Sequence, residues 1–166
     1  MTEDFDPQRI LAVLNRHGVK YVLIGGLAAT FHGSTLVTTD VDVTPERARA
    51  NLDRLSSALR ELDARVRTDA VPEGLPFDHD GESIGAADIW TLKTAAGDLD
   101  ITFLPAGTSG YPDLWKDVRE IEVMGVRVPV ASLADIVRSK EAAGREKDRL
   151  SLPTLRRLLE AEEAGG

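Results

Sequence analysis

Apolar positions along the chain switch between a helical and an alternating spacing, and the switches mark out its elements. Asp6-Pro7 followed by Ile10, Leu11 and Leu14 combines an N-cap, a first-turn proline and 3.6-residue spacing, so a short helix is expected to end near Gly18. Tyr21-Val-Leu-Ile24 is an apolar run closed by Gly25-Gly26, the pattern of a buried strand entering a tight turn. Leu27 to His32 reads as a short helix stopped by Gly33. Thr39-Asp-Val-Asp-Val-Thr44 alternates with period two and ends at Pro45, a strand with one acidic face. Ala48, Leu52, Leu55, Leu59 and Leu62 then recur at three- and four-residue intervals, which predicts one long amphipathic helix from Glu46 to about Val66.

Residues 67 to 87 carry prolines, glycines and acids without a period and are expected to be irregular. Two hairpins should follow. Asp88 to Thr94 and Asp98 to Leu104 are separated by Ala95-Ala-Gly97, and Arg119 to Val123 and Val126 to Val130 by Met124-Gly125. Ser132-Leu-Ala-Asp135 has capping-box spacing and opens a helix expected to run toward Arg149, and Leu152 to Glu162 reads as a last helix with Pro153 in its first turn. The sum is an α/β (α+β) protein with a small mixed sheet backed by helices. Residues 1–130 would form the core and 131–166 a short helical part packed on it, one compact domain overall.

Composition narrows the chemistry. The 166 residues contain no cysteine, which excludes disulfides, thiolate metal sites and a thiol nucleophile. Twenty Lys and Arg stand against 28 Asp and Glu, a formal charge of −8, which opposes bulk DNA binding but leaves room for a small anion or an RNA end. The longest apolar stretch, Tyr21 to Phe31, is interrupted by two glycines and is too short for the roughly 20 residues of a membrane span. With an acidic N-terminus as well, the expected location is cytoplasmic.

The acidic strand face carries the strongest chemical signal. Asp40 and Asp42 leave the same side of a strand with Cα atoms roughly 6.6 Å apart, and Asp100 sits in the apolar run Leu99-Asp-Ile-Thr-Phe103. If the two strands pair, the three carboxylates converge. Like charges 5 Å apart at an effective dielectric of 20 repel by about 3 kcal/mol, so such a cluster calls for a cation. A hard ion such as Mg2+, or Mn2+, suits an all-oxygen site. His17, His32 and His79 are too scattered for a zinc site. Trp90 and Trp115 are expected to pack, and Ser132 to cap a helix rather than act as a nucleophile.

Leu23-Ile-Gly-Gly26 followed by Thr39-Asp-Val-Asp-Val43 resembles the DNA polymerase beta-like nucleotidyltransferase superfamily, whose pattern is a hydrophobic strand, Gly with Gly or Ser, a spacer and Asp-x-Asp. Within it the chain is most similar to small bacterial nucleotidyltransferase-like proteins related to abortive-infection toxins and lincosamide nucleotidyltransferases, which share a late basic helix matched here by Ser139 to Asp148. The resemblance implies the nucleotidyltransferase fold and magnesium-dependent transfer of a nucleoside monophosphate from a triphosphate such as ATP to an acceptor hydroxyl on an RNA end, a protein or a small molecule. Asp40, Asp42 and Asp100 would be the catalytic metal ligands. Gly25, Gly26 and Ser34 would receive the triphosphate, joined by Lys140 and Lys147, seven residues apart and so on one face of a continuous helix. Leu36 stands where relatives often carry Arg. The alternative is therefore a catalytically idle module that binds nucleotide or a cognate protein in a toxin-antitoxin pair.

Overall fold

The computed structural model describes residues 5–165, which form one seven-stranded mixed sheet and seven helices. In chain order these are α1 (Pro7–Arg16), β1 (Tyr21–Ile24), α2 (Gly25–Phe31), β2 (Asp40–Pro45), α3 (Arg49–Glu61), β3 (Arg65–Val66), α4 (Gly81–Gly85), β4 (Ile89–Thr94), β5 (Gly97–Thr102), α5 (Tyr111–Trp115), β6 (Arg119–Val123), β7 (Val126–Val130), α6 (Leu133–Ala143) and α7 (Glu146–Gly165). The strands lie in the order β3-β4-β5-β2-β1-β7-β6. The β2–β5 and β1–β7 pairs are parallel and the rest antiparallel. Among the described residues no helix is long and apolar enough to cross a membrane.

Local chemistry accounts for most element ends. Asp6 caps α1, its carboxylate accepting the Arg9 N–H at 3.1 Å, and Pro7 occupies the first turn. Met124 (φ 50°) and Gly125 (φ 82°) both take the left-handed conformation that a two-residue hairpin turn demands. Ser132 caps α6 through the Asp135 N–H. One sheet face is apolar: Leu23, Val41, Val43, Leu92, Leu99 and Ile101 are fully buried, together with Ile10 and Leu14 of α1 and Leu55 and Leu59 of α3. Each such side chain contributes roughly 1.5–3 kcal/mol of burial free energy. Buried Asn51 ties α3 to the start of β1 by accepting the Lys20 N–H at 2.7 Å and donating to the Lys20 and Glu46 carbonyls. Because strand side chains alternate, the residues between the apolar ones, Asp40, Asp42, Asp98 and Asp100, point to the opposite face.

Four expectations change. The helix predicted over Glu46 to Val66 is shorter at both ends: Leu62 closes it, Asp63 turns left-handed (φ 51°), and Arg65–Val66 pairs with β4 as an edge strand. The irregular 67–87 segment contains α4, held by a capping box between Asp80 and Ser83, and a single bridge from Leu75 to Val66. The helix expected to run from Ser132 to Arg149 breaks at Gly144, whose φ of 61° supplies a left-handed C-cap. The last helix accordingly starts at Glu146 rather than Leu152, and Pro153 lies inside it on the exposed side, where water can bond the carbonyl that Pro153 cannot.

Candidate active site

The parallel pairing of β2 with β5 puts Asp40 opposite Asp98 and Asp42 opposite Asp100. One carboxylate oxygen from each of Asp40, Asp42 and Asp100 lies within 4.8 Å of the others, so the trio anticipated from the sequence is assembled. All three residues are half-buried. Burial pushes the Asp42 carboxyl up to about 7, with the charges of Asp40 and Asp100 adding to the rise and Lys147 pulling against it. Burial likewise pushes Asp100 up to about 6, against the pull of Arg67 and with help from Asp40 and Asp98. Arg67 and Lys147 thus offset only part of the effect of burial and of the neighbouring carboxylates on Asp42 and Asp100.

Gly25 and Gly26 form the first turn of α2 rather than a turn before it. The turn has to be bare on the β2 side: Gly25 adopts φ +75°, and a Cβ there would collide with the Asp42 carboxylate. A Cβ on Gly26 would press on Thr38, whose hydroxyl donates to the Asp40 carbonyl at 3.2 Å and the Asp40 carboxylate at 3.4 Å. No side chain caps the opening of α2. The helix start therefore lies beside the trio with no side chain bonded to its first N–H groups.

The basic residues are arranged differently from the sequence expectation. Gly144 separates Lys140 on α6 from Lys147 on α7, so they do not share a helix face. Lys147 is exposed and its charge acts on Asp42. Lys140 Nζ lies 3.4 Å from Oδ1 of Asp148, a fully buried carboxylate that also takes the Arg145 side chain at 2.8 Å and the Arg145 N–H at 3.2 Å. Ser34 is buried, and its hydroxyl accepts the Leu36 N–H at 3.2 Å within its own loop. Leu36 and Val37 are exposed in the loop that leads to Asp40.

Of the residues set aside as structural, Trp90 and His32 are tied into the fold, whereas Trp115 stays exposed. Trp90 donates its indole N–H to the Ile84 carbonyl at 2.9 Å and stacks on Phe77, and Trp115 stacks on Tyr111. His32 follows α2, its ring bonded to the Ala131 carbonyl at 2.8 Å. Two site residues escaped the sequence. Asp98-Leu99-Asp100 repeats the Asp-x-Asp spacing of β2, a signal that was present, whereas Arg67, which pairs with both Asp98 and Asp100, lay in the segment without a period.

No protein-family model matches the sequence, and no curated protein does. Solved structures do match. The lincosamide antibiotic adenylyltransferase LnuA, with lincomycin bound, is 16% identical over 92% of this chain and 95% of its own, with a TM-score of 0.60. ANT(2″)-Ia in complex with adenylyl-2″-tobramycin is 18% identical over 95% and 89%, with a TM-score of 0.58. The nucleotidyltransferase candidate TM1012 from Thermotoga maritima is 21% identical over 93% and 91%, with a TM-score of 0.55. The agreement extends over nearly the whole of each molecule, and this chain has the nucleotidyltransferase fold.

Proposed function

We propose that the chain is a divalent-metal-dependent nucleotidyltransferase that moves a nucleoside monophosphate from a nucleoside triphosphate to an acceptor hydroxyl. The observation that carries this is the convergence of Asp40, Asp42 and Asp100 beside the uncapped, glycine-lined start of α2. An all-carboxylate donor set whose own protein leaves it under-neutralised fits a hard cation, Mg2+ or Mn2+. When bound, such ions neutralise the carboxylates and stabilise charge developing on the transferring phosphoryl group.

The chain's own groups have separate tasks. Asp40, Asp42 and Asp100 would hold the cations, and Gly25 and Gly26 let phosphate oxygens reach backbone N–H groups. Lys147 supplies a charge toward the same region from α7, while Lys140 and Arg145 fix Asp148 and with it the start of the helix that carries Lys147. Ser34 shapes the loop after α2. In the reaction the acceptor oxygen bonds to the α-phosphorus, the bond from that phosphorus to the bridging oxygen breaks, and pyrophosphate leaves with the electron pair. The acceptor proton passes to an Asp100 carboxylate oxygen.

That LnuA is an antibiotic adenylyltransferase and that ANT(2″)-Ia holds adenylyl-2″-tobramycin supports ATP as donor and a small molecule as acceptor over an RNA end or a protein. The test is incubation with Mg2+, labelled ATP and fractionated small-molecule, RNA and protein acceptors, followed by detection of pyrophosphate and of the labelled product. Label on an acceptor, lost in the Asp40→Asn variant, is the expected outcome. A second reading rests on the exposed Leu36 and Val37, which leave the loop before Asp40 without a basic side chain. On it the chain binds nucleotide or a cognate protein partner, as one half of a toxin-antitoxin pair, without turnover. Saturable triphosphate binding with no pyrophosphate from any acceptor would select this alternative.

A further inference from the structure

Resting on the assignment of the trio as a cation site, we infer that Arg67 is a positioning residue for Asp100. It holds the β5 carboxylate in the metal-free protein and gives it up to an incoming divalent ion, so that Arg67 sets how tightly the site binds metal. Arg67 follows β3, and its N–H donates to the Thr91 carbonyl at 3.0 Å. Thr91 lies opposite Asp100, and Asp100 opposite Asp42, so Arg67 stands at the end of a row that leads straight to the trio. The threonine between them is small enough for the guanidinium to reach across.

The contacts themselves suit exchange rather than permanent clamping. Nη2 donates to Asp100 Oδ1 at 3.3 Å, long for a charge-assisted bond. Nη1 lies 2.7 Å from Asp98 Oδ2 as an ion pair, yet it is buried without an aligned hydrogen bond. Among the described residues the Arg67 side chain pairs with these two carboxylates and no other. Asp98 stands next to Asp40 in the register, so the face carries four aspartates. Anchored on Asp98, the guanidinium remains within reach of Asp100 when the latter turns to a cation.

Mn2+ binding followed by electron paramagnetic resonance at pH 7.5 tests this without reference to turnover. Arg67→Gln is expected to bind Mn2+ about tenfold more tightly than the unsubstituted protein, because the competitor for Asp100 is gone. In the Asp100→Asn background, where Asp40 and Asp42 remain, the same substitution should change affinity by less than about twofold. Unchanged or weaker binding in Arg67→Gln overturns the inference, as does a gain of equal size in both backgrounds, which would make Arg67 a diffuse charge acting through no particular carboxylate. If thermal unfolding shows that Arg67→Gln loses its fold, Arg67→Lys carries the test: it keeps the charge without the fork and should tighten binding about threefold, again only when Asp100 is present. Failure of the unsubstituted protein to bind Mn2+ at millimolar concentration removes the cation site itself, and this inference with it. Binding that is indifferent to Arg67 removes the inference alone.

Discussion

Two aspartates of this chain leave water for opposite reasons. Asp148, fully buried where α6 meets α7, is surrounded by partners: burial alone would raise its carboxyl, but Arg145 by hydrogen bond and charge, and Lys140 by charge, outweigh that and lower it. Asp42, half-buried on β2, faces Asp40 and Asp100, and its carboxyl is pushed up to about 7 by burial first and by those neighbours next. A buried charge that serves the fold is neutralised by the fold itself. A clustered charge that the fold leaves short of partners, beside an uncapped helix start, is on the proposed function held ready for a cation from outside.

The largest difference between the two sites should appear on replacement. Asp42→Asn is expected to lower pyrophosphate release by more than about a thousandfold while leaving the metal-free protein as stable or more so, since one repelling charge departs. Asp148→Asn should do the reverse, costing about 3 kcal/mol in urea unfolding with Lys140 left beside a neutral amide. Loss of stability in both variants would erase the distinction.

How far the comparison was legible beforehand depends on where each partner lies. Asp40 and Asp42 were readable because strand alternation puts residues two apart on one side, and the apolar frame around Asp100 marked a sheet interior. Both hairpins and the cap at Ser132 were readable because turn and cap chemistry is local. The Asp148 cluster was not, because a single left-handed residue, Gly144, breaks what otherwise reads as continuous helix and turns Lys140 toward Asp148. Arg67 was hidden for a related reason: its position follows from the pairing of the two-residue β3 with β4, and so short a strand has no period to detect. Long-range pairing, rather than composition, decided what stayed invisible.

Acidity should separate the sites next. Asp42 holds its proton in the folded chain up to about pH 7, while the unfolded chain releases it near 4, so between those values folding takes up a proton. Stability of the metal-free protein is therefore expected to fall as pH rises from about 4 through about 7, with Asp42 alone worth on the order of 4 kcal/mol, and to level off above. Asp148, whose carboxyl is lowered, has the opposite sign, and its stabilisation is lost only in acid. Urea unfolding at pH 5, 6.5 and 8 checks this: the decline should be much reduced in Asp42→Asn, and millimolar Mn2+ should reverse it at pH 8 by binding the folded state.

Smaller effects sharpen the picture. Gly25→Ala places a methyl against the Asp42 carboxylate at a positive φ, so turnover should drop about a hundredfold and stability by about 1–2 kcal/mol. Lys147→Ala should weaken triphosphate binding about five- to tenfold and change stability by less than about 0.5 kcal/mol. Lys140→Ala should lower stability by about 1 kcal/mol, with nucleotide affinity held within about twofold. Calorimetric titration with ATP alongside thermal unfolding distinguishes the two lysines, and equal effects on affinity would return Lys140 to the nucleotide site.

Whether the three carboxylates grip cations is settled most directly by growing crystals with manganese at pH 7.5 and collecting anomalous data at the manganese edge. Anomalous density within coordination distance of Asp40, Asp42 and Asp100, absent from Asp42→Asn crystals grown alike, is the expected result. A map without density among those side chains, or one that Asp42→Asn leaves unchanged, would contradict the metal-dependent reading of this site.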